Sequence, residues 1–229
     1  LFAMCGRYSF STNTQVLSTQ FEGLEIGQNL ELNFNIAPTQ SAYVVTDDTP
    51  GALQQFRWGL IPFWAKDVKI GSRMINARSE TILEKPAFRT AAKKRHCWVL
   101  ADSFYEWKKE GSQKTPYRIQ LKDESILVMA GLWETWNKET EPIHSFTIVT
   151  CPPNEEMAPI HNRMPLILST KAEQNAWLEE KDPEHIKALL QTPADDLLKM
   201  YSVYRSVNSV RNNGPNLHLP LEEQGDLFS

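Results

Sequence analysis

The sequence predicts an α+β fold: a single domain with an antiparallel, barrel-like β core and a few flanking helices. Short segments rich in β-branched and aromatic residues recur through the middle of the chain and are bounded by turn residues, whereas helical signals are few. At 229 residues the chain is long enough for one well-formed core. It contains no internal repeat and no low-complexity linker, which favours one domain over several.

The strand signals lie in the middle of the chain. Segments 104–108 and 116–121 flank the turn residues Glu-Gly-Ser-Gln at 110–113, which predicts a hairpin. Six segments are short, apolar and bounded by turn residues; they are 42–46, 53–58, 97–101, 117–121, 126–133 and 145–150. Several short strands in succession are typical of an antiparallel sheet.

Four segments carry helical signals: 14–21, 82–94 in its second half, 171–180 and 182–190. Ser169 or Thr170 is the expected N-cap of the third. Pro183 suits the first turn of the fourth, where its missing N–H costs no hydrogen bond. Pro86 is expected near the start of the second helix, because proline breaks a helix interior.

Composition excludes several classes of protein. No apolar run approaches the roughly 18 residues that a membrane helix needs, and no signal peptide opens the chain, so no membrane association is expected. Cys5, Cys97 and Cys151 are too few and too scattered for a disulfide framework, and none shows C-x-x-C spacing. We therefore expect a reducing cytoplasm and neither a zinc site nor any other metal.

The charge is unevenly distributed along the chain. The net charge is −4, yet residues 57–118 hold fourteen Lys or Arg and six Asp or Glu, a local charge of +8. A basic centre on an acidic frame is typical of a surface that binds a nucleic-acid backbone. The alternative is a solvated face around residues 85–95.

The run Met4-Cys5-Gly6-Arg7-Tyr8 opens the chemical interpretation. Met4 is the expected initiator, because Leu1 cannot be one, so residues 1–3 are expected to be an appended remnant. Removal of Met4 leaves Cys5 with a free amine beside its thiol. Such an amine has a pKa of roughly 7.7–8.0 and such a thiol one of roughly 8.5, so both are partly available at neutral pH.

A 1,2-aminothiol reacts with aldehydes in two steps. The amine first forms an imine, and the thiol then closes a five-membered thiazolidine, which is far more durable than the imine. An amine that is acylated by a preceding residue cannot follow this route. A cysteine behind the initiator also occurs by chance, and Cys5 alone is compatible with a structural role.

Five further motifs follow Cys5-Gly6-Arg7-Tyr8 in order along the chain. They are Asn35-Ile-Ala-Pro38, Trp58-Gly-Leu-Ile-Pro62, Ile75-Asn-Ala-Arg-Ser-Glu80, Ala101-Asp-Ser-Phe-Tyr-Glu-Trp-Lys108 and Ile160-His-Asn-Arg-Met-Pro165. Together the six resemble the motif set of the SOS response-associated peptidase (SRAP) family over nearly the whole chain. One motif alone is weak evidence, but six in order are specific. The resemblance predicts an SRAP domain over residues 4–221, with 222–229 as a mobile acidic tail.

The resemblance implies covalent capture of abasic sites in single-stranded DNA and removal of the chain's own initiator methionine. Weak abasic-site lyase activity is expected from the same site, because an imine that fails to close its ring can undergo β-elimination. No organic cofactor is implied. The protein is expected to act as a monomer in the cytoplasm, associated with the nucleoid during replication.

Four residues are the candidate catalytic groups. Cys5 matches the family nucleophile, and Glu106 is expected to hold or deprotonate its amine. His161 is suited to protonating the departing hydroxyl or the opened sugar oxygen, and Asn76 to orienting the reacting groups. The structural alternatives are a solvated Glu106 paired with Lys108, and a histidine that merely fills a polar position.

Candidate DNA contacts come from several motifs. The guanidinium groups of Arg7 and Arg78 suit contacts with phosphates. The alternative is that either arginine forms a buried pair with Glu80 or Asp102. Pro38 resembles the family position beside the DNA groove. Further contacts with the DNA backbone are predicted for the segment near the end of the domain, at Ser206, Asn208 and Asn212.

Aromatic residues in the loop after residue 57 are candidates for stacking on unpaired bases. Trp58, Phe63 and Trp64 surround a loop rich in Pro and Gly, and each stacked base contributes about 1–3 kcal/mol. Seven tryptophans in one domain require that some lie in the core. Those expected in the core are Trp98, Trp133 and Trp177.

The C-terminal run Gln224-Gly-Asp-Leu-Phe228 resembles the Gln-x-x-Leu-Phe peptides that dock bacterial DNA-processing proteins onto the sliding clamp. Leu227 and Phe228 are adjacent apolar anchors on an acidic end, and Gln224 is a directional hydrogen-bonding group. The alternative is that Leu227 and Phe228 pack back on the domain.

Two other functions compete with abasic-site capture. The first is a peptidase that acts on other proteins through Cys5 and His161, which predicts peptide turnover. The second is a non-catalytic module that binds single-stranded DNA, for which Cys5 is incidental. Only capture predicts a covalent band between the protein and an abasic oligonucleotide.

Overall fold

The larger of two β-sheets closes on itself. In the computed structural model, which describes residues 5–221, this sheet has seven strands. They are β3 (Ser41–Thr46), β4 (Thr49–Trp58), β5 (Asn76–Arg78), β6 (His96–Ala101), β9 (Leu127–Trp136), β10 (Ile143–Cys151) and β11 (Met164–Pro165). Strand β9 pairs with both β6 and β10, so that β10, β4, β3, β6 and β9 form a closed ring of five strands. The expected barrel-like core is confirmed.

The second sheet has five strands in the order β12-β8-β7-β1-β2. They are β1 (Tyr8–Phe10), β2 (Asn33–Ile36), β7 (Ser103–Glu110), β8 (Gln113–Leu121) and β12 (Leu198–Ser202). Strands β7 and β8 form the predicted hairpin, and all pairings in this sheet are antiparallel. In the closed sheet, β10 runs parallel to β4 and to β5, which the prediction of an antiparallel core did not include.

The two faces of the five-stranded sheet are buried against different partners, because successive side chains of a strand point to opposite faces. Phe104 of β7 packs in the main core, together with residues of the closed sheet. Its neighbour Tyr105 instead packs against Val203, Val207 and Leu217 of the C-terminal segment. By the same alternation, Glu106 faces the same side as Phe104, toward the main core.

Between residues 5 and 220, three α-helices flank the sheets: α1 (Thr14–Gln20), α2 (Lys171–Glu179) and α3 (Pro183–Leu189). Helix α2 begins with a capping box, in which Thr170 accepts a hydrogen bond from the Glu173 N–H and Glu173 accepts one from Thr170. Pro183 occupies the first turn of α3, as predicted. The described part of the chain also contains four 3₁₀ segments: Val68–Arg73, Ala91–Lys93, Arg205–Asn208 and Pro215–His218.

The helix predicted in the second half of residues 82–94 is wrong. The segment forms a succession of turns with hydrogen bonds such as Lys85 to Thr81 and Arg89 to Lys85, and only residues 91–93 are helical. Pro86 has no N–H to donate and disfavours helical conformation in the residue before it, so the turns cannot join into one helix. Within residues 5–221, no helix is long and apolar enough to cross a membrane.

Candidate active site

Cys5 and Glu106 meet where strand β1 runs antiparallel to strand β7. The register pairs Tyr8 with Phe104, so the residues just before β1 lie level with the middle of β7. The backbone nitrogen of Cys5 donates a hydrogen bond of 2.6 Å to Oε1 of Glu106. The residues predicted as nucleophile and proton acceptor are thus in direct contact.

The carboxyl group of Glu106 is removed from solvent, since only 3% of the residue is exposed. The alternative of a solvated glutamate paired with Lys108 is wrong, because Lys108 forms its ion pair with Glu110 at 2.7 Å. Burial raises the pKa of Glu106, although the charge of His161 and the hydrogen bond from the Cys5 nitrogen act to lower it. A carboxylate with a raised pKa is a stronger proton acceptor, which suits a catalytic base.

His161 belongs to the loop between β10 and β11. Its backbone N–H donates to the Met157 carbonyl at 3.0 Å. Asn154 fixes this turn, since its side chain accepts from the Met157 N–H and donates to the Ala194 carbonyl, both at 3.0 Å. The Nδ1 atom of His161 is buried and has no hydrogen-bond partner among residues 5–221. The loop therefore places the His161 imidazole near the carboxyl group of Glu106, whose pKa it acts to lower.

The thiol of Cys5 is buried, and the residue has a φ of 43°, which non-glycine residues rarely adopt. Burial raises the pKa of this thiol well above its usual value, and the charge of Glu106 and its hydrogen bond to the thiol raise it further. Cys151 raises the pKa as well, whereas Arg163 lowers it. The thiol is therefore protonated near neutral pH in this conformation.

Arg163 is a buried arginine to which the motifs assign no role. Its Nη2 atom donates to the Thr150 carbonyl at 2.6 Å and to the Thr150 hydroxyl at 3.1 Å. Its Nη1 atom pairs with Glu80. The partial burial of Glu80 acts to raise its pKa, but the hydrogen bond and charge of Arg163 outweigh this effect and lower it. The only feature of the sequence that pointed to Arg163 was its place in the motif around His161.

Asn76 and Arg78 lie on β5, where they pair with Ile148 and Thr150 of β10. Because they are two residues apart in a strand, their side chains share one face, and the buried Ala77 faces the opposite way. Asn76 is half-buried and Arg78 is exposed. Neither of the two carboxylates considered as partners of Arg78 pairs with it. Glu80 pairs with Arg163, and Asp102 pairs with Arg118.

The expectation that Arg7 binds phosphate is not supported by its contacts. Its Nη1 atom donates to Oδ1 of Asn35 and to the Val207 carbonyl, each at 2.7 Å. Burial lowers the pKa of Arg7. Arg7 also faces the side of β1 opposite to Tyr8, away from the main core. Its structural partners are thus neither Glu80 nor Asp102, and it holds the C-terminal segment against β1.

The expectation that Trp58 stacks on DNA bases is wrong. Trp58 is fully buried, its indole N–H donates to the Ile75 carbonyl at 2.9 Å, and its ring meets Tyr8 edge-on at 5.0 Å. Trp64 and Phe63 are instead 46% and 51% exposed, and for them base stacking stays a prediction. The three tryptophans expected in the core are buried there, namely Trp98, Trp133 and Trp177.

The other candidate DNA contacts lie near the surface. Pro38 and Ser206 are half-buried, and the exposed Asn208 accepts a hydrogen bond of 2.7 Å from the Trp107 indole. The Asn212 side chain donates to the Ser206 carbonyl at 2.8 Å. The tail residues Gln224, Leu227 and Phe228 lie outside the described residues.

The basic stretch from residue 57 to 118 is largely accessible. Nine of its fourteen cationic side chains are exposed and available to phosphates. They are Lys66, Lys69, Arg73, Arg78, Lys85, Arg89, Lys93, Lys94 and Lys109.

Comparison with known proteins agrees with the motif set. The family model described as SOS response associated peptidase (SRAP) matches residues 4–210. The chain is 43% identical over 222 residues to the abasic site processing protein YoqW of Bacillus subtilis, covering 93% of this chain and 98% of that protein. It is 35% identical to the abasic site processing protein YMR114C of Saccharomyces cerevisiae, covering 86% of this chain and 55% of that protein.

A solved structure shares the fold. The crystal structure of a protein from Bacteroides thetaiotaomicron superposes with a TM-score of 0.83 at 28% identity, covering 94% of this chain and 99% of that one. Because the family model spans most of the chain and a relative with 43% identity spans 93% of it, the chain belongs to the SRAP family.

Proposed function

We propose that this protein captures abasic sites in single-stranded DNA as a thiazolidine at Cys5. The observation that carries the proposal is the hydrogen bond from the Cys5 nitrogen to Glu106, in a site shared with His161. The names of the SRAP relatives, which are abasic site processing proteins, support the same substrate. The exposed cations of residues 57–118 provide the positive charge that a DNA backbone requires.

The first step needs Cys5 at the N-terminus. While Met4 precedes it, the nitrogen that donates to Glu106 is an amide and cannot attack an aldehyde. Removal of Met4 turns the same nitrogen into an amine beside the same carboxylate. The raised pKa of Glu106 brings it closer to that of the amine, so that proton transfer between them costs less. We infer that the protein removes Met4 itself, a single event on its own chain.

The second step joins the amine to the ring-opened sugar. The amine nitrogen attacks C1′ of the aldehyde, its proton passes to Glu106, and the carbonyl oxygen takes a proton from solvent to become a hydroxyl. The resulting carbinolamine loses its hydroxyl as water when His161 or Glu106 supplies a proton, which leaves an iminium ion. Asn76, which is half-buried on β5, is assigned the role of orienting the sugar.

The third step decides between capture and cleavage. Attack of the Cys5 sulfur on the iminium carbon pushes the C=N electron pair onto nitrogen and closes the thiazolidine. If the sulfur does not attack, loss of a proton from C2′ expels the 3′ phosphate and cuts the strand. The same site therefore supports a weak abasic-site lyase activity.

Mass spectrometry of the protein that begins at Cys5 tests the proposal after incubation with an oligonucleotide containing one abasic site. We expect a covalent adduct equal to protein plus DNA minus one water, at Cys5. Denaturing gels with the intact oligonucleotide serve as the control. Noncovalent binding to both oligonucleotides with no adduct would favour a simple binding module, and turnover of unrelated peptides would favour a general peptidase.

We further propose that the C-terminal tail binds the bacterial sliding clamp through Gln224, Leu227 and Phe228. Two adjacent apolar anchors and a glutamine match the sequence of such docking peptides. A tail peptide should bind the clamp in roughly the micromolar range. Alanine at residues 227 and 228 should remove this binding and leave the abasic-site adduct intact. Failure of the full-length protein to bind the clamp at high micromolar concentration would refute this second proposal.

A further inference from the structure

The loop between β4 and β5, residues 60–74, is closed tightly at its base. The Leu60 N–H donates a hydrogen bond of 3.1 Å to the Met74 carbonyl. The backbones of Gly59 and Gly71 touch there, since a Cβ atom on either would lie 2.5 Å from the carbonyl oxygen of the other. A side chain at either glycine would push the two ends of the loop apart.

The 60–74 loop is also fixed against the closed sheet. Ile61 and Ala65 pack on Trp136 of β9 in a small apolar cluster. The Trp136 indole N–H donates to the Ala65 carbonyl at 2.8 Å, and the Ile61 N–H donates to the Ser145 hydroxyl at 2.8 Å. A loop held in this way needs little reordering when a ligand binds to it.

A cavity of about 560 Å³ lies at the surface of the 60–74 loop. Its lining includes the exposed Trp64 ring, three exposed cations and one carboxylate, namely Lys66, Lys69, Arg73 and Asp67. The Asp67 carboxylate accepts a hydrogen bond of 2.8 Å from the Lys69 N–H. Among residues 5–221, none of the three cations forms an ion pair. The cavity therefore combines an aromatic wall with uncompensated positive charge.

A nucleotide of single-stranded DNA carries both kinds of group that this lining binds. Its base has a flat π face that stacks on an indole ring, and its phosphate attracts Lys and Arg side chains. An acidic peptide would use the cations and leave the ring exposed, and an apolar ligand would use the ring and leave the cations unpaired. The lining thus fits a nucleotide better than either.

The cavity lies close to the residue that is proposed to orient the abasic sugar. Arg73 is three residues before Asn76, so their Cα atoms are at most about 11 Å apart. Stacked nucleotides rise about 3.4 Å along a strand, so this separation corresponds to about three nucleotides. A strand whose abasic sugar reaches Asn76 can therefore place a nearby intact nucleotide in the cavity.

We propose that this cavity is a subsite for one intact nucleotide that flanks the abasic site, about three positions away on the same strand. The Trp64 ring stacks on its base, and Lys69 and Arg73 bind its phosphate groups. The proposal rests on the proposed function and deepens it, because it states how much intact DNA the protein contacts beside the lesion. No covalent step is added.

The affinity for a series of oligonucleotides tests the subsite without capture. Each carries tetrahydrofuran, an abasic analogue that has no aldehyde, and one flank is lengthened by single nucleotides while the other stays constant. Fluorescence anisotropy should show a gain of about 5- to 150-fold when the lengthened flank reaches the cavity, and on one flank only. An even gain for each nucleotide added to either flank would overturn the proposal.

Two variants should remove or reduce this gain and leave the affinity for short oligonucleotides nearly unchanged. Trp64→Ala removes the stacking surface, and Lys69→Gln combined with Arg73→Gln removes two cations. The double variant should also lower the slope of log K against log salt by about 0.7 for each lost phosphate contact, on long oligonucleotides only. The matched control combines Lys171→Gln on α2 with Lys199→Gln on β12, which removes the same charge elsewhere and should keep the gain.

The DNA can be varied in the same way as the protein. Replacing the base at the position of the gain by tetrahydrofuran should abolish the gain for the wild type and cause no further loss for Trp64→Ala. This arm decides the proposal even if a variant fails to fold, because it needs only the wild-type protein. A gain that survives removal of that base would overturn base stacking in the cavity.

Two other outcomes would count against the subsite. A gain that persists in Trp64→Ala would overturn it, and so would variants that weaken short and long oligonucleotides equally, as a loss of general charge does. If protein that begins at Cys5 forms no adduct with an aldehyde-bearing abasic oligonucleotide, the proposed function fails. The binding measurements on tetrahydrofuran strands still decide whether the cavity holds a nucleotide.

Discussion

The nitrogen of Cys5 lies 2.6 Å from Oε1 of Glu106, although 101 residues separate the two along the chain. The contact depends on the antiparallel pairing of β1 with β7, which holds the residue before the strand against a carboxylate inside the sheet. A nucleophile that is fixed in this way needs little further ordering when the aldehyde arrives.

The state of the N-terminus should decide whether a thiazolidine forms at all. Protein that begins at Cys5 should give a heat-stable adduct with an abasic oligonucleotide. Protein that retains residues 1–4 should give none, because the Cys5 nitrogen is then an amide. Intact-mass spectrometry and denaturing gels measure both forms in parallel. Equal yields of the same adduct would contradict the amine-first mechanism.

Cys5→Ala should separate the amine from the thiol. The variant keeps an N-terminal amine after Met4 is removed, so borohydride should still trap an imine with abasic DNA. The thiazolidine should be absent, and cleavage of the strand by β-elimination should increase. Gels with and without borohydride distinguish these products. A variant that gives neither imine nor cleavage would show that the amine does not react first.

Glu106→Gln should slow imine formation by about 10²–10⁴-fold, the usual contribution of a positioned proton acceptor. The same change should stabilise the fold at neutral and alkaline pH. Burial raises the pKa of Glu106 in the folded protein, so the stability contributed by its neutral form is lost as pH rises through that pKa. Glutamine does not ionise and avoids the loss.

Thermal unfolding from acid to alkaline pH checks this second effect. The melting temperatures of wild type and Glu106→Gln should agree at low pH and diverge as pH rises, with the variant higher. Glu134→Gln provides a comparison, since burial raises the pKa of Glu134 as well, but Glu134 also pairs with Arg95 at 3.1 Å and loses that pair on substitution. A Glu106→Gln variant that is less stable at every pH would contradict the assignment.

Arg78→Ala should weaken binding to single-stranded DNA and flatten its dependence on salt. Loss of one phosphate contact lowers the slope of log K against log salt by about 0.7 for a single strand. Fluorescence anisotropy at several salt concentrations measures the slope. Lys199→Ala, which removes the β12 cation that pairs with Glu124, should leave the slope unchanged. An unaltered slope for Arg78→Ala would assign this residue a structural role.

Trp64→Ala should reduce affinity for single-stranded DNA by about 1–3 kcal/mol if the exposed ring stacks on one base. The ring is 46% exposed, so its removal should leave the melting temperature nearly unchanged. Val16→Ala, at an exposed apolar position on α1, is the control and should bind normally. Wild-type affinity for Trp64→Ala would exclude stacking by this residue.

The sequence predicted best those elements that local signals determine. Thr170 and Glu173 specify the start of α2 by themselves, and the Gly-containing turn at 110–113 specifies the hairpin. The helix predicted in the second half of 82–94 failed because the chain forms separate turns there, and only residues 91–93 are helical. The three-residue strand β1 is too short to produce a periodic signal, yet it positions Cys5.

Residue roles were hardest to predict where a side chain has two suitable partners. Arg7 and Arg163 are both arginines within motifs, and nothing local distinguishes a surface cation from one buried by contacts more than 80 residues away. Trp58 and Trp64 border the same loop, but only the pairing of β4 shows that Trp58 points into the core. Such distinctions depend on long-range contacts, which motif spacing does not encode.

The bond from Arg7 to the Val207 carbonyl also has a consequence for biosynthesis. The segment that carries Cys5 is anchored by the last fifth of the domain, while its carboxylate and imidazole partners come from the middle and the third quarter of the chain. A ribosome must therefore release nearly the whole polypeptide before the reactive amine acquires its surroundings. Incomplete nascent chains and products truncated before residue 207 would carry Cys5 without the Val207 contact that anchors its segment, and on the proposed function they should trap abasic DNA poorly.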